Sequence, residues 1–120
     1  QDLLLAKGKE WGPKYLQIHV HCPLGWRHAP GITYDIAKLA VETGLYPLIE
    51  YENGKLANVR KLALVKPVEE YLKPQGRFRH ILNSPELLKS IQEIANNNIE
   101  RYGLKVESAS VQNAGSAPKA

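Results

Sequence analysis

The sequence predicts an α/β fold, and three features of the chain support this prediction. Residues 15–20 alternate in side-chain character with a period of two, which is typical of a β-strand. The dipeptide Asn53-Gly54 lies between two apolar segments and is the strongest short signal for a β-hairpin. After Ser84-Pro85, apolar residues recur at helical spacing. A length of 120 residues suits one domain or part of one.

The first elements are predicted to be a strand, a loop and a helix. The strand over residues 15–20 is expected to be buried in a sheet, and Pro23 and Gly25 force a loop directly after it. Residues 32–43 then carry apolar side chains at helical spacing, and Gly44 ends this helix. The N-terminus of the helix is therefore expected close to the loop.

A β-hairpin is predicted next. A strand over residues 45–52 is expected to pair, through the Asn53-Gly54 turn, with a second strand whose centre is residues 62–65. Pro47 places the first half of the earlier strand at a sheet edge.

The second half of the chain is predicted to be helical. A short helix covers residues 68–72, and one further helical turn covers residues 77–82. The longest helix begins at Pro85 with Ser84 as its N-cap residue, and Gly103 ends it.

Both ends of the chain differ from the part between them. Residues 1–7 resemble the end of a helix, and the chain contains no methionine, which indicates that the sequence begins inside a longer polypeptide. Processing of the chain would also produce a sequence that starts in this way, without methionine. Residues 108–120 are mostly small and polar, which predicts a disordered tail and a domain over residues 1–107.

Composition narrows the class of protein. Hydrophobic residues make up 43% of the chain and charged residues 23%, which is ordinary for a soluble globular protein. No apolar run is long enough to cross a bilayer, and no secretory signal is visible. The single cysteine excludes an internal disulfide and suits a reducing compartment, so a cytoplasmic location is expected.

The formal net charge of +4 raises the hypothesis of nucleic-acid binding. The local basic cluster is residues 73–80, where Phe78 between Arg77 and Arg79 could stack on a base while the arginines hold phosphates. The other interpretation is a solvated basic turn, or an interface with an acidic partner. The second interpretation is favoured, because the chain has no recognised nucleic-acid-binding motif.

Cys22 is the first candidate for chemistry. Functional groups of α/β proteins commonly lie just past the end of a strand, which is the position of this thiol. The predicted helix N-terminus nearby favours a thiolate. On position alone, however, a buried structural cysteine is favoured.

Three histidines surround Cys22 in the sequence. By donor type, His19, His21, His28 and Cys22 form a plausible zinc set, although their spacing matches no recognised finger. The favoured interpretation is that these histidines form hydrogen bonds within the fold or lie at the surface. His21 or His28 could also act as a base for a Cys22 nucleophile, but neighbouring residues on a strand point to opposite faces. The residues alone therefore predict no catalytic residue and no complete active site.

Four blocks of sequence resemble a known family. They are similar, in order, to the C-terminal part of the beta subunits of the thiamine-diphosphate-dependent 2-oxoacid:ferredoxin oxidoreductases, with pyruvate:ferredoxin oxidoreductase as the preferred branch. The blocks are Cys22 to Trp26, Ile36 to Gly44 with Tyr46 to Leu48, Lys66 to Leu72, and Gln75 to Phe78. The similarity extends over roughly residues 8–103 and is more specific than any single motif.

The resemblance implies a role for Cys22. Beta subunits of the family bind thiamine diphosphate with Mg²⁺ and a proximal [4Fe–4S] cluster, and a late Cys-Pro loop supplies the fourth cluster cysteine. Cys22 matches that position, and a cubane cluster needs four thiolates. The other three cysteines and the Gly-Asp-Gly segment for Mg²⁺ and diphosphate are absent from this sequence. The chain alone is therefore expected to hold neither the cluster nor thiamine diphosphate.

The resemblance also implies a fold and an activity. The expected fold is the C-terminal portion of a Rossmann-like thiamine-diphosphate-binding domain, followed by the hairpin and C-terminal helices. The implied reaction converts a 2-oxoacid and CoA to acyl-CoA and CO₂, with electrons passed to ferredoxin. The implied partners are the remaining part of the beta subunit and the other oxidoreductase subunits. Residues 66–72 favour pyruvate, and the identity of the 2-oxoacid stays open, as does whether the chain is a fragment or a separate polypeptide.

Overall fold

The computed structural model describes residues 12–106. The predicted helix end at residues 1–7 and the predicted tail at residues 108–120 lie outside the described residues. Within residues 12–106 the chain forms helices and a two-stranded antiparallel sheet, which confirms a mixed α/β structure.

The elements follow the chain in this order. The helices are α1 (Pro23–Trp26), α2 (Thr33–Glu42), α3 (Val68–Leu72), α4 (Arg79–Leu82) and α5 (Pro85–Arg101). Short 3-10 turns, Pro30–Ile32 and Gly76–Phe78, lead into α2 and α4. The strands, β1 (Ile49–Glu52) and β2 (Lys55–Val59), lie between α2 and α3.

The ends of the longest helix are as predicted. The Ser84 hydroxyl accepts a hydrogen bond from the Leu87 amide at 3.5 Å, and Pro85 occupies the first turn, where no intrahelical donor is needed. After α5, Gly103 has a φ of 56°, a left-handed conformation that glycine adopts without strain. Local side-chain chemistry therefore sets both ends of α5.

The hairpin turn is confirmed, but its predicted partner strand is wrong. Asn53 and Gly54 have φ values of 50° and 76°, and β1 pairs with β2 directly across them. A two-residue turn brings the residues next to it into register, so a strand centred on residues 62–65 is too far along the chain to pair. A register shift between Glu50 and Tyr51 places a bulge in the ladder.

The segment after the hairpin packs elsewhere. The Leu62 amide donates to the Leu104 carbonyl at 2.6 Å, and the Val106 amide donates to the Leu62 carbonyl at 3.3 Å. Leu62 is 8% exposed and forms a second apolar cluster with Ile99 and Leu104. Leu62, the first residue of the predicted strand centre, therefore lies beside the chain that leaves α5.

The main core lies between α2, α3 and α5. Its buried residues are Ile36, Ala40, Val68, Tyr71, Leu72 and Ala95. Because α5 also supplies Ile99 to the second cluster, this helix joins both apolar clusters. The 3-10 turn at Gly76–Phe78 follows α3 and is therefore held close to the main core.

The prediction of a buried strand over residues 15–20 is wrong for this chain. The segment forms no strand, and Leu16, Ile18 and Val20 are 56%, 69% and 71% exposed. Strand-favouring side chains form a strand only beside a partner, and among the described residues β1 and β2 pair with each other. The segment instead contacts the rest of the domain at separate points. One of them is the hydrogen bond that the Tyr46 hydroxyl donates to the Gln17 carbonyl at 3.1 Å.

Candidate functional site

The chain turns sharply just after residue 21, and we call the segment Cys22–Arg27 the Cys22 turn. The predicted loop is in fact a single helical turn, α1, with Cys22 as its N-cap residue. The Trp26 amide donates to the Cys22 carbonyl at 2.9 Å, and the His28 amide donates to the Pro23 carbonyl at 3.1 Å. Proline suits the first position of a helix because its fixed φ is helical, so Pro23 starts the turn rather than preventing it.

The Cys22 thiol is exposed, contrary to the burial that its position alone favoured. Within residues 12–106 the thiol forms no hydrogen bond with an imidazole, so the structure shows no Cys-His nucleophile. A Cβ atom added at Gly25 would lie 3.6 Å from the Cys22 sulfur, which is an ordinary contact. The sulfur is therefore available to a ligand from outside the chain.

His19 and His21 lie together beside the Cys22 turn. Their Nε2 atoms are 2.9 Å apart, which makes one imidazole the donor and the other the acceptor. The His19 ring stacks on Tyr46 at 4.5 Å, and the His21 ring centroid lies 4.2 Å from that of Trp26. The pair thus links the segment before the turn to the body of the domain.

Burial and positive neighbours disfavour protonation of these histidines. Burial, followed by the neighbouring His19, His28 and Arg77, lowers the pKa of His21 to about 4. Burial and then Arg77 lower the pKa of His19. At neutral pH His21 is therefore uncharged, and its imidazole serves as an aromatic and hydrogen-bonding group.

The predicted zinc donor set does not assemble in the part of the chain that the structure describes. Among residues 12–106, no three His, Cys, Asp or Glu side chains are placed to hold a metal ion. His28 Nδ1 bonds the Ala29 carbonyl at 2.9 Å, and the His19–His21 pair uses its Nε2 atoms on each other. Zinc bound by Cys22 and the histidines is thus unsupported.

Within the basic segment, Arg77 and Phe78 pack against the protein. The Arg77 guanidinium lies over the Trp26 ring at 3.5 Å and within 4.4 Å of the Phe78 ring centroid. Phe78 packs on the main core, and its ring centroid lies 6.2 Å from that of Tyr71. Because the Phe78 ring packs on the core and against the Arg77 guanidinium, it does not stand free to stack on a base as the nucleic-acid hypothesis supposes, and only Arg79 of the three residues is exposed.

The contact between Arg77 and Trp26 was not anticipated from the sequence. Both residues lie in blocks that resemble the oxidoreductase family, but no local pattern connects the two blocks. A basic and an aromatic residue far apart in the chain meet only when the fold brings them together.

No helix among residues 12–106 is long and apolar enough to span a membrane.

Comparisons with known proteins agree with the resemblance. No protein-family model matches the chain. The chain is 45% identical to pyruvate synthase subunit PorB of Methanosarcina barkeri, over 78% of this chain and 33% of that protein. It is 43% identical to PorB of Methanocaldococcus jannaschii over 78% of this chain and 30% of that protein. It is also 47% identical to ketoisovalerate oxidoreductase subunit VorB of Pyrococcus abyssi, over 58% of this chain and 23% of that protein. The chain spans about a third or less of the length of these relatives.

Proposed function

We propose, from the homology of this chain to the PorB-type beta subunits of 2-oxoacid:ferredoxin oxidoreductases, that it forms part of such a subunit and supplies a cysteine ligand to its iron–sulfur cluster. The homology confirms the resemblance predicted from the four sequence blocks. The whole enzyme would oxidatively decarboxylate a 2-oxoacid with CoA to acyl-CoA and CO₂, and would pass the electrons to ferredoxin. The subunit and its partner subunits would hold thiamine diphosphate and Mg²⁺ outside this chain.

Pyruvate is the proposed 2-oxoacid. Pyruvate synthase subunits from five organisms align with 68–78% of this chain, whereas ketoisovalerate oxidoreductase subunits from three align with 58%. The longer alignment with pyruvate synthases supports the preference that residues 66–72 indicate. Activity of the complete enzyme with pyruvate and with branched-chain 2-oxoacids, measured side by side, tests this choice.

The exposed thiol of Cys22 is the single observation that carries the assignment. A cluster ligand supplied to a site shared with other polypeptide must be reachable from outside the chain, and Cys22 is. A [4Fe–4S] cluster, when bound, takes up and passes on one electron.

One thiolate from this chain fits one corner of a cubane cluster. Cys22 is the only cysteine in the sequence, so the other three ligands must come from elsewhere in the subunit. The role of this chain's own residues is thus to present a single sulfur and to hold it in place.

The remaining part of the beta subunit is the proposed neighbour of the exposed apolar side chains around Cys22. Leu16, Ile18 and Val20 are more than half exposed, and Leu24 is 91% exposed. Exposed apolar side chains close together in a chain are typical of an interaction site, because their removal from water stabilises a complex. These residues lie on both sides of Cys22 in the sequence, so a neighbour that covers them would also enclose the cluster.

Replacement of Cys22 in the complete enzyme tests the assignment. Cys22→Ala should lower the iron content and remove or alter the electron paramagnetic resonance signal of the proximal cluster, and ferredoxin reduction should cease. Thiamine diphosphate should stay bound. Ala29→Ser, an equally small change at an exposed position near the turn, is the control and should keep the cluster. A Cys22→Ala enzyme with a full four-iron cluster and normal electron transfer would overturn the assignment.

A further inference from the structure

The Cys22 turn is held from one side by the segment Gln75-Gly76-Arg77. The Gly76 amide donates to the Arg27 carbonyl at 2.9 Å, at the C-terminal end of the turn. The Arg77 guanidinium lies 3.5 Å from the centre of the Trp26 ring. Trp26 in turn donates its amide to the Cys22 carbonyl. The segment therefore contacts the turn at Trp26 and Arg27, and the Trp26 backbone is hydrogen-bonded to that of Cys22.

Arg77 is itself held in place by the core. Its Nε donates to the Gln75 side-chain oxygen at 3.1 Å. Gln75 is fully buried, and its amide nitrogen donates to the Tyr71 carbonyl of α3 at 2.6 Å. A planar guanidinium that is fixed by a hydrogen bond and stacked on a ring loses little freedom on forming the contact. The position of the guanidinium is thus set by α3 rather than by solvent.

The close approach at Gly76 shows how tightly the two segments pack. A Cβ atom added there would lie 2.8 Å from the Arg27 Cβ and 3.2 Å from the Arg27 carbonyl oxygen. Any larger residue would push the segment away from the turn. Glycine at this position therefore permits the hydrogen bond and the stacking contact to form together.

We propose that Arg77 is a positioning residue for Cys22: its stacking on Trp26 fixes the Cys22 turn and so sets the place from which the thiolate reaches the cluster. This inference rests on the proposed role of Cys22 as a ligand. The Gln75-Gly76-Arg77 segment then serves to hold the Cys22 turn in place. In this role the side chain of Arg77 binds no substrate.

The first test uses the complete enzyme with its cluster. Arg77→Leu should still assemble a four-iron cluster, but the cluster should be lost to a chelator several times faster, and its electron paramagnetic resonance spectrum should change. Arg77→Lys keeps the charge but has neither the planar stack nor the Nε donor, so it should behave like Arg77→Leu. Arg79→Leu removes the same charge from an exposed neighbour and should match the wild type. Recovery of both readouts by Arg77→Lys would overturn the positioning role in favour of charge alone.

A double-variant cycle gives a second, independent test. If Arg77 acts through Trp26, the enzyme with both Arg77→Leu and Trp26→Leu should lose its cluster no faster than the more affected single variant. Additive effects would overturn the proposal. Trp26→Phe keeps an aromatic ring for the guanidinium, so it should fold and show a smaller change in the same direction. An unchanged Trp26→Phe spectrum and cluster-loss rate would also contradict the proposal.

The two proposals fail in different ways. If Cys22→Ala keeps its cluster, the ligand assignment is wrong. If Cys22→Ala loses the cluster while Arg77→Leu keeps the wild-type spectrum and cluster-loss rate, only the positioning role is wrong.

Discussion

Gly44 at the end of α2 is the position where one added methyl group should be most costly. Its φ is +79°, and a Cβ atom there would lie 2.7 Å from Ile99 Cγ1, 3.0 Å from Ile99 Cδ1 and 3.2 Å from the Ala95 carbonyl oxygen. Ala95 and Ile99 are buried on α5, so neither can easily move away. Gly44→Ala therefore combines backbone strain with overpacking of the contact between α2 and α5.

The two contributions can be estimated separately. A left-handed backbone costs a residue with a Cβ about 1–2 kcal/mol relative to glycine. Insertion of a methyl group into a packed contact costs about 1–3 kcal/mol. The free energy of unfolding of Gly44→Ala should therefore be about 2–5 kcal/mol below that of the wild type.

Gly54→Ala is the matched control. Gly54 has a φ of +76°, nearly that of Gly44, but an added Cβ meets nothing within 4 Å. It should lose only the backbone part, about 1–2 kcal/mol. Urea denaturation followed by circular dichroism measures both losses. In an Ile99→Ala background, which removes the two nearest atoms, the cost of Gly44→Ala should fall toward that of Gly54→Ala, with a remainder from the Ala95 carbonyl oxygen. Equal losses for the two glycine variants in the wild-type background would refute the packing argument.

Three further measurements test the core, the histidine pair and the long helix. Because the pKa of His21 is about 4 in the folded chain and about 6.5 when unfolded, the unfolded state binds more protons between these values. Stability should thus be full above about pH 6.5 and fall toward pH 4, with at most about 3 kcal/mol from His21 because solvent screens part of the effect. In pH-dependent denaturation, His21→Leu should remove this share and leave that of His19, whose pKa is also lowered, while the exposed His80→Leu should keep the whole slope. Leu72→Ala, at a side chain only 1% exposed, should lower the free energy of unfolding by about 2–5 kcal/mol, whereas Leu87→Ala, at a side chain 47% exposed, should cost much less; similar losses would contradict the core assignment. Ser84→Ala should cost about 1 kcal/mol by the same assay, and no loss would mean that its long capping bond contributes nothing.

Local signals explain why most helices could be predicted. The short helix over residues 68–72 has the predicted bounds, and α5 begins after Ser84 and ends before Gly103 as expected. Cap residues, prolines and glycines act on the backbone within a few residues of themselves, so their effect is visible in the sequence. The Asn53-Gly54 turn could be predicted for the same reason.

The failures share a different cause. Pairing of the hairpin with residues 55–59 rather than 62–65, and the exposure of residues 15–20, depend on which segments become neighbours. Strand propensity describes a fit to a sheet surface and does not identify the partner. The exposure of Cys22 likewise follows from what the rest of the fold leaves uncovered.

The sequence by itself determined most of the helices, the hairpin turn, the family and the candidate cysteine, because each depends on nearby residues or on similarity along the chain. Only the tertiary structure decided that the thiol is exposed, that His19 bonds His21, and that Arg77 stacks on Trp26. The contact between Arg77 and Trp26 joins two distant blocks through α3 and the main core. Such a contact forms because burial of apolar surface brings the elements together, and that burial is a property of the whole folded domain.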